Sequence, residues 1–270
     1  MRVTASTAIV GIVGTPIMQV KSPTVMNAWF EAQARDAALV PIDLAPEAMA
    51  AFVPVLRGWR NLRGMIVTVP YKQVLAPLCD RLTPRAQRLG TVNVIRREAD
   101  GTLFGEILDG AGFIAAAAAH GFTPRGRRAA VIGAGGVASA IADALCEGGI
   151  AQLAVQDVDA AKQARLAATL RQAFPDVAVQ EGITDIATLD LLVNGTPVGM
   201  NGDPSLPLPD AQLADLSAAC LVADVVTAPL ETPFLQRAKA RGCRVQTGIE
   251  MTETQMLQLA GWMGVGEPSG

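Results

Sequence analysis

The sequence predicts an α/β fold built on a mostly parallel sheet. Three observations predict it. Short apolar runs alternate with helical stretches along nearly the whole chain, the order that builds parallel sheets. Half of the residues are apolar, chiefly Ala and Val, as strands buried on both faces require. A Gly-Ala-Gly-Gly-Val-Ala turn at residues 133–138 joins one such run to a helix. The length of 270 residues suits two modest domains or one large one, and either buries a core without disulfides or metals.

Each element has its own reason. Residues 7–13 (TAIVGIV) read as a first strand and turn. A signal peptide is the rival reading, but Gly11, Gly14 and Pro16 interrupt the run and no small-x-small cleavage site follows it. Residues 22–37 read as a helix, with Ser22 at the N-cap and Pro23 at the first position. Residues 38–44 form the second strand and 46–59 another helix; 64–70 form a third strand, stopped by Pro70. The texture changes near residues 109–128, where an Ala-rich helix and a polar connection stand. Residues 128–149 then read as a buried strand, a Gly-rich turn and a helix, and 151–159 as the next strand. Residues 162–174, 190–199, 220–226 and 243–248 continue the alternation. Residues 250–264 form an amphipathic helix outside it.

Composition excludes several functions. A net charge of −3 and a pI near 5.3 do not suit a nucleic-acid partner, which needs clustered Lys and Arg; small anionic ligands remain open. No run of about 18 residues has the pattern of a spanning helix, so no membrane partner is expected. Cys79, Cys146, Cys220 and Cys243 lie far apart with no CxxC pair, which argues against a zinc site or disulfides and fits a reducing cytoplasm. No metal is expected. The one histidine, His120, precedes Gly121 at the expected end of a helix, where a capping or surface role suits it. A single histidine argues against Ser-His-Asp hydrolysis and His-rich metal sites. Proton transfer then falls to Lys, Asp, Glu, Cys, water or Tyr71, the only tyrosine.

The turn Gly133, Ala134, Gly135, Gly136, Val137, Ala138 follows a strand and opens a helix. Gly133 permits the tight turn, Gly135 lets the backbone approach a pyrophosphate, and Ala138 lets helix and strand pack closely. The helix N-terminus offers N–H groups and partial positive charge to the phosphates. Asp157 stands at the end of the next strand, about 20 residues on, as in a Rossmann dinucleotide-binding domain. The alternative is a Gly-rich turn without a ligand. A carboxylate at Asp157 accepts hydrogen bonds from ribose hydroxyls and repels a 2′-phosphate, so NAD is favoured over NADP. Asp157 as a helix N-cap is the plainer role, and one residue can serve both.

The chain resembles the shikimate/quinate dehydrogenase family along nearly its whole length. The matching motifs are Gly14-Thr15-Pro16 with Ser22-Pro23, Thr68-Val69-Pro70-Tyr71-Lys72, and Gly90-Thr91-Val92-Asn93. Gly105-Glu106-Ile107-Leu108-Asp109-Gly110, Asn194-Gly195-Thr196-Pro197-Val198-Gly199-Met200, Asp224-Val225-Val226 and Gly248-Ile249-Glu250-Met251 ahead of Gln255 follow in the family's order. The resemblance implies a substrate-binding domain over 1–109 with a returning helix at 249–270. It also implies a Rossmann domain over 110–248 and a cleft between the two. A place in aromatic amino acid biosynthesis or quinate metabolism follows. It gives Lys72 and Asp109 the catalytic role: a lysine beside a carboxylate can relay the proton lost when a secondary alcohol is oxidised. A solvated surface lysine and a helix cap are their structural alternatives. Val20, Ser22, Ile66, Thr68, Asn93, Thr227 and Gln255 stand at substrate-binding positions. Asn194, Thr196, Pro197, Val226, Gly248 and Met251 stand near the ribose and nicotinamide. Pro197 and Gly199 alone support only a turn, and core packing is the plainer role for Met251 and Met256. Trp29, Trp59 and Trp262 read as core or rim residues.

The departures concern the substrate. Val20 replaces the first serine of the family's Ser-x-Ser pair, Ile66 an asparagine, Ile107-Leu108 an Asn-Thr pair, and Thr227 a tyrosine. Each lost partner for a buried polar group costs about 1–3 kcal/mol, about tenfold or more in discrimination. The leading expectation is therefore an NAD-dependent oxidoreductase with altered specificity, acting on a small, cyclic hydroxy or oxo compound. A true shikimate or quinate dehydrogenase is the second reading, and a non-catalytic dinucleotide sensor the third. The family supplies both monomers and homodimers.

Overall fold

A computed structural model describes residues 3–18 and 20–266. The described residues divide into two units, one within Met1–Leu108 and Met256–Gly270, the other Asp109–Gln255.

The first unit contains β1 (Ala8–Gly14), α1 (Ser22–Ala32), β2 (Ala37–Asp43), α2 (Met49–Gly58), β3 (Leu62–Val67), α3 (Lys72–Leu75), β4 (Arg81–Leu82), α4 (Pro84–Leu89), β5 (Val94–Arg97) and β6 (Leu103–Glu106). The strands form one sheet in the order β2-β1-β3-β5-β6-β4. β1 pairs in parallel with β2 and β3, and β4 with β6. β5 runs antiparallel to both of its neighbours, which adds a β5–β6 hairpin that the strand-helix alternation does not reveal. The central strands are apolar runs, with Val10, Val13, Met65 and Val67 fully buried. Helix α1 departs from the sequence reading at both ends. Lys21, already in helical conformation, stands at the N-cap; Ser22 is the first helical residue and caps nothing. The helix stops at Ala32, and Ala34 takes a positive φ of 50° as the chain turns toward β2.

The second unit contains α5 (Asp109–Ala119), β7 (Arg128–Ile132), α6 (Gly136–Glu147), β8 (Gln152–Gln156), α7 (Ala160–Ala173), β9 (Ala178–Glu181), β10 (Leu191–Asn194), α8 (Asp210–Leu213), β11 (Leu221–Asp224), α9 (Pro233–Ala240), β12 (Arg244–Gln246) and α10 (Gly248–Trp262). Its sheet is parallel throughout, in the order β12-β11-β10-β7-β8-β9. This is the doubly wound Rossmann order, whose direction reverses between β7 and β10 and opens a crevice at their carboxyl ends. Ile132, Leu192, Val222, Phe234 and Leu235 belong to the core on one face. On α5, Gly110 lies so close to α6 that an added Cβ would stand 2.1 Å from the Ala140 carbonyl oxygen.

Helix α10 starts in the second unit and ends in the first. A capping box starts it: Glu250 Oε2 accepts the Thr247 N–H at 2.7 Å, and Thr247 Oγ1 accepts the Glu250 N–H at 3.4 Å. At its far end Trp262 packs on Phe104 with ring centroids 5.0 Å apart. Among the described residues no helix is long and apolar enough to cross a membrane.

Candidate active site

Functional side chains gather at the carboxyl edge of each sheet. In the second unit the turn after β7 has the geometry that a dinucleotide needs. Gly133 adopts φ +106°, a conformation that favours glycine. At Gly135 an added Cβ would meet nothing within 4 Å, so the backbone there faces open space. Ala138 is fully buried, and an added Cβ at Gly195 would stand 2.7 Å from its Cβ. The first N–H groups of a helix have no partner within it, so α6 presents donors and partial positive charge at this turn. The donor set and the open backbone fit a pyrophosphate, with Gly136 and Val137 on the first turn of α6.

Asp157 follows β8, and its carboxylate is already anchored. Oδ2 accepts the Ala134 N–H at 2.6 Å and Oδ1 the Asp159 N–H at 2.8 Å. Asp159, not Asp157, caps α7, accepting the N–H groups of Ala161 and Lys162. The Lys162 N–H and, behind it, the Ala161 N–H and the nearby cations hold the Asp159 carboxyl below the usual carboxylate range. Val158 between the two carboxylates is fully exposed.

Asn194 and Asp224 end β10 and β11 and are tied together. Asn194 Nδ2 donates to Asp224 Oδ1 at 3.1 Å, and Asn194 Oδ1 accepts from the Thr196 hydroxyl at 2.6 Å. Asp224 also accepts the Val226 N–H and the Thr232 hydroxyl. Burial pushes the Asp224 carboxyl up despite these donors. Gly248 lies directly against this exit, since a Cβ there would stand 2.5 Å from the Val225 and Val226 carbonyl oxygens. Met251 is buried, Pro197 and Thr227 are exposed, and Asp109 opens α5 almost fully buried. Gln255 Nε2 donates to Asp109 Oδ1 at 2.8 Å.

In the first unit Thr68, Lys72 and Asn93 share one edge. Thr68 follows β3, and Lys72 heads α3. The Val92 N–H donates to the Lys72 carbonyl, and the Val67 N–H to the Asn93 carbonyl. Asn93 is buried, and its Oδ1 accepts the Leu108 N–H at 2.8 Å. Ile66, Ile107 and Leu108 are buried as well. Ser22 and Val20 stand at the start of α1, half-buried.

Sequence reasoning missed three features. Glu106 is buried and joined to Arg85 and Thr83; only the pairing in space reveals it. The Asp224–Thr232 bond had no local pattern to announce it. The Thr247-x-x-Glu250 box was there to be read. His120 Nε2 lies 2.7 Å from Glu250 Oε1, so the histidine at the end of α5 meets the start of α10. Among the described residues no cluster of three or more His, Cys, Asp or Glu side chains has the geometry of a metal site.

Comparison with known proteins places these observations. Residues 12–95 match the shikimate dehydrogenase substrate binding domain. A shikimate dehydrogenase (NADP(+)) of Geobacter metallireducens is 37% identical over 100% of this chain and 96% of its own. The shikimate 5-dehydrogenase of Listeria monocytogenes, solved with shikimate and NAD, superposes with a TM-score of 0.89 at 27% identity, covering 98% of this chain and 94% of that one. The 5-ketofructose reductase of Gluconobacter sp. strain CHM43 superposes with a TM-score of 0.86 at 27% identity, covering 96% and 93%. With its substrate-domain motifs, its Rossmann sheet and full-length identity at this level, the chain belongs to the shikimate dehydrogenase family of NAD(P)-dependent oxidoreductases.

Proposed function

We propose that the protein is an NAD-preferring dehydrogenase of this family whose substrate is a small cyclic alcohol or ketone other than shikimate. Residues 1–109 with 249–270 bind the substrate and 110–248 bind the dinucleotide. The observation that carries the substrate reading is the burial of Ile66, Ile107 and Leu108 at positions where the family has polar side chains. They leave Ser22, Lys21, Thr68 and Asn93 as the polar side chains that the first unit offers a ligand, and Gln255 as one from the second. The 5-ketofructose reductase supports the idea that this fold serves more than one carbonyl substrate. Asp157 supports the cofactor preference. Its anchored carboxylate meets ribose hydroxyls and repels a 2′-phosphate, and Lys162, 3.7 Å from Asp159, is already engaged.

When bound, the nicotinamide supplies the hydride acceptor. Lys72 relays the hydroxyl proton as the carbon gives up its hydride. Asp109, whose Oδ1 accepts from Gln255 Nε2, is the carboxylate of the catalytic pair. Gly133 to Ala138 hold the pyrophosphate; Asn194, Thr196, Pro197, Val226, Gly248 and Met251 frame the ribose and nicotinamide. The four cysteines are free thiols, which supports work in the cytoplasm, as a monomer or homodimer.

The full-length relatives named shikimate dehydrogenase (NADP(+)) favour a second reading, in which shikimate itself is turned over. Initial rates of NAD⁺ reduction separate the two. Shikimate and quinate are run beside a panel of less hydroxylated cyclic alcohols, each also with NADP⁺, with Lys72→Ala as control. The expected result is a Lys72-dependent kcat/KM at least tenfold higher for a panel alcohol than for shikimate, and higher with NAD⁺ than with NADP⁺. Shikimate as the best substrate would establish the second reading instead.

A further inference from the structure

An ion pair between a buried carboxylate and a partly exposed guanidinium lies at the polar edge of the first unit. Glu106, 5% exposed at the end of β6, receives four hydrogen bonds on its carboxylate. The Thr83 hydroxyl and the Ile107 N–H donate to Oε1, each at 2.7 Å. Arg85 donates from Nε to Oε1 at 3.4 Å and from Nη2 to Oε2 at 3.2 Å. Thr83 is itself the N-cap of α4, so the carboxylate ties that helix to the end of β6.

The main chain of Glu106 continues the network. Its carbonyl accepts the Asn93 N–H at 2.9 Å, and the Asn93 carbonyl accepts the Val67 N–H at 2.7 Å. Asn93 Oδ1 in turn accepts the Leu108 N–H at 2.8 Å. One side chain thus grips the Ile107 amide and, through its own carbonyl, the asparagine that grips Leu108. A buried ion pair contributes little net stability against an apolar pair of the same volume, because desolvation offsets the attraction. Its geometric specificity is the larger effect: a bidentate guanidinium fixes the carboxylate in one orientation.

We propose that Glu106, with Arg85 as its counter-ion, is a positioning residue that sets the backbone from Asn93 to Leu108, and through it the Asn93 side chain offered to substrate. The substrate half of this inference rests on reading that edge as the substrate-binding edge; the backbone half does not.

The test compares wild type, Glu106→Gln and the double variant Arg85→Met/Glu106→Gln. The double variant leaves no unpaired charge at this site and is expected to keep the fold. Amide hydrogen exchange is read at Ile107 and Leu108, with Ile12 and Val13 of β1 as internal controls, beside thermal melting and steady-state kinetics with shikimate as probe. The expected result for the double variant is a melting temperature close to wild type and exchange about tenfold faster at Ile107 and Leu108 only. Its KM for shikimate rises about tenfold, with kcat and the KM for NAD⁺ unchanged. Unchanged protection at Ile107 and Leu108 overturns the proposal. So does protection lost evenly through β1 and β6 together with a drop in melting temperature, which marks a merely structural pair. If wild type leaves shikimate unreacted, that result bears on the substrate, and amide exchange still decides the positioning claim.

Discussion

Two hydrogen bonds hold the Asp157 carboxylate in place before any ribose arrives. Asp157→Ser combined with Val158→Arg removes that negative charge and sets a guanidinium on an exposed position. The ratio of kcat/KM for NADP⁺ over NAD⁺ is expected to rise at least a hundredfold, read from initial rates with both cofactors. Asp224 gives a prediction in pH. Its folded-state pKa is raised by burial, so the fold holds its proton more tightly than the unfolded chain does. The stability this contributes is fully present below the unfolded carboxylate value of about 3.9. It is lost as pH rises through the folded value. Asp224→Asn removes the titration while keeping an acceptor for Val226. Calorimetric melts at pH 4 and pH 7 are expected to favour the variant more at pH 7. At this scale spacing located Asp157 at the end of a strand, and the structure sets it directly after β8. The sequence was silent at Glu106, whose partner Arg85 comes from another element.

Among the elements, those with long apolar periodicity were the legible ones. Five of the six parallel strands of the second unit follow from apolar runs alternating with helices, whereas β9, four residues long and partly exposed, was not read, and Gly121, at φ +74°, ends α5 as its position suggested. The hairpin of β5 and β6 was not legible in the same way, because its strands are four residues each and too short for a period. Its turn carries the local mark, Asp100-Gly101, with Gly101 at φ +91° and the Thr102 N–H donating to Asp100 Oδ1. Helix α1 was overextended because Ala and Gln at 32–33 continue a helical pattern that the positive φ at Ala34 breaks. The box that opens α10 yields an expected cost. Thr247→Ala removes the hydroxyl that accepts the Glu250 N–H. It is expected to cost about 1 kcal/mol, measured as a shift in the urea midpoint at constant slope.

For the whole molecule, the change of texture near residue 109 falls where the first unit's main segment ends, whereas the division in two and the return of the final helix were implied only by the family's pattern. Ligand and thiol chemistry test the whole chain. NAD⁺ at a hundred times its Kd stabilises the folded state by about 2.7 kcal/mol. For a chain of this size that is a rise in Tm of about 5–10 °C, and NADP⁺ at the same concentration is expected to give less. Burial pushes the Cys220 thiol up to about 12, and Cys146 is 3% exposed. Ellman's reagent at pH 8 is therefore expected to leave both unreacted in the native protein and to titrate all four thiols after denaturation. The glycines set apart two kinds of genetic lesion. A side chain at Gly110 collides with the backbone of α6, whereas at Gly135, with φ −77° and nothing within 4 Å, it collides with nothing the protein itself supplies. A library sorted for soluble expression would discard substitutions at the first position and retain those at the second. The same library sorted for turnover would discard both, and the difference between the two sorts maps the outline of the cofactor.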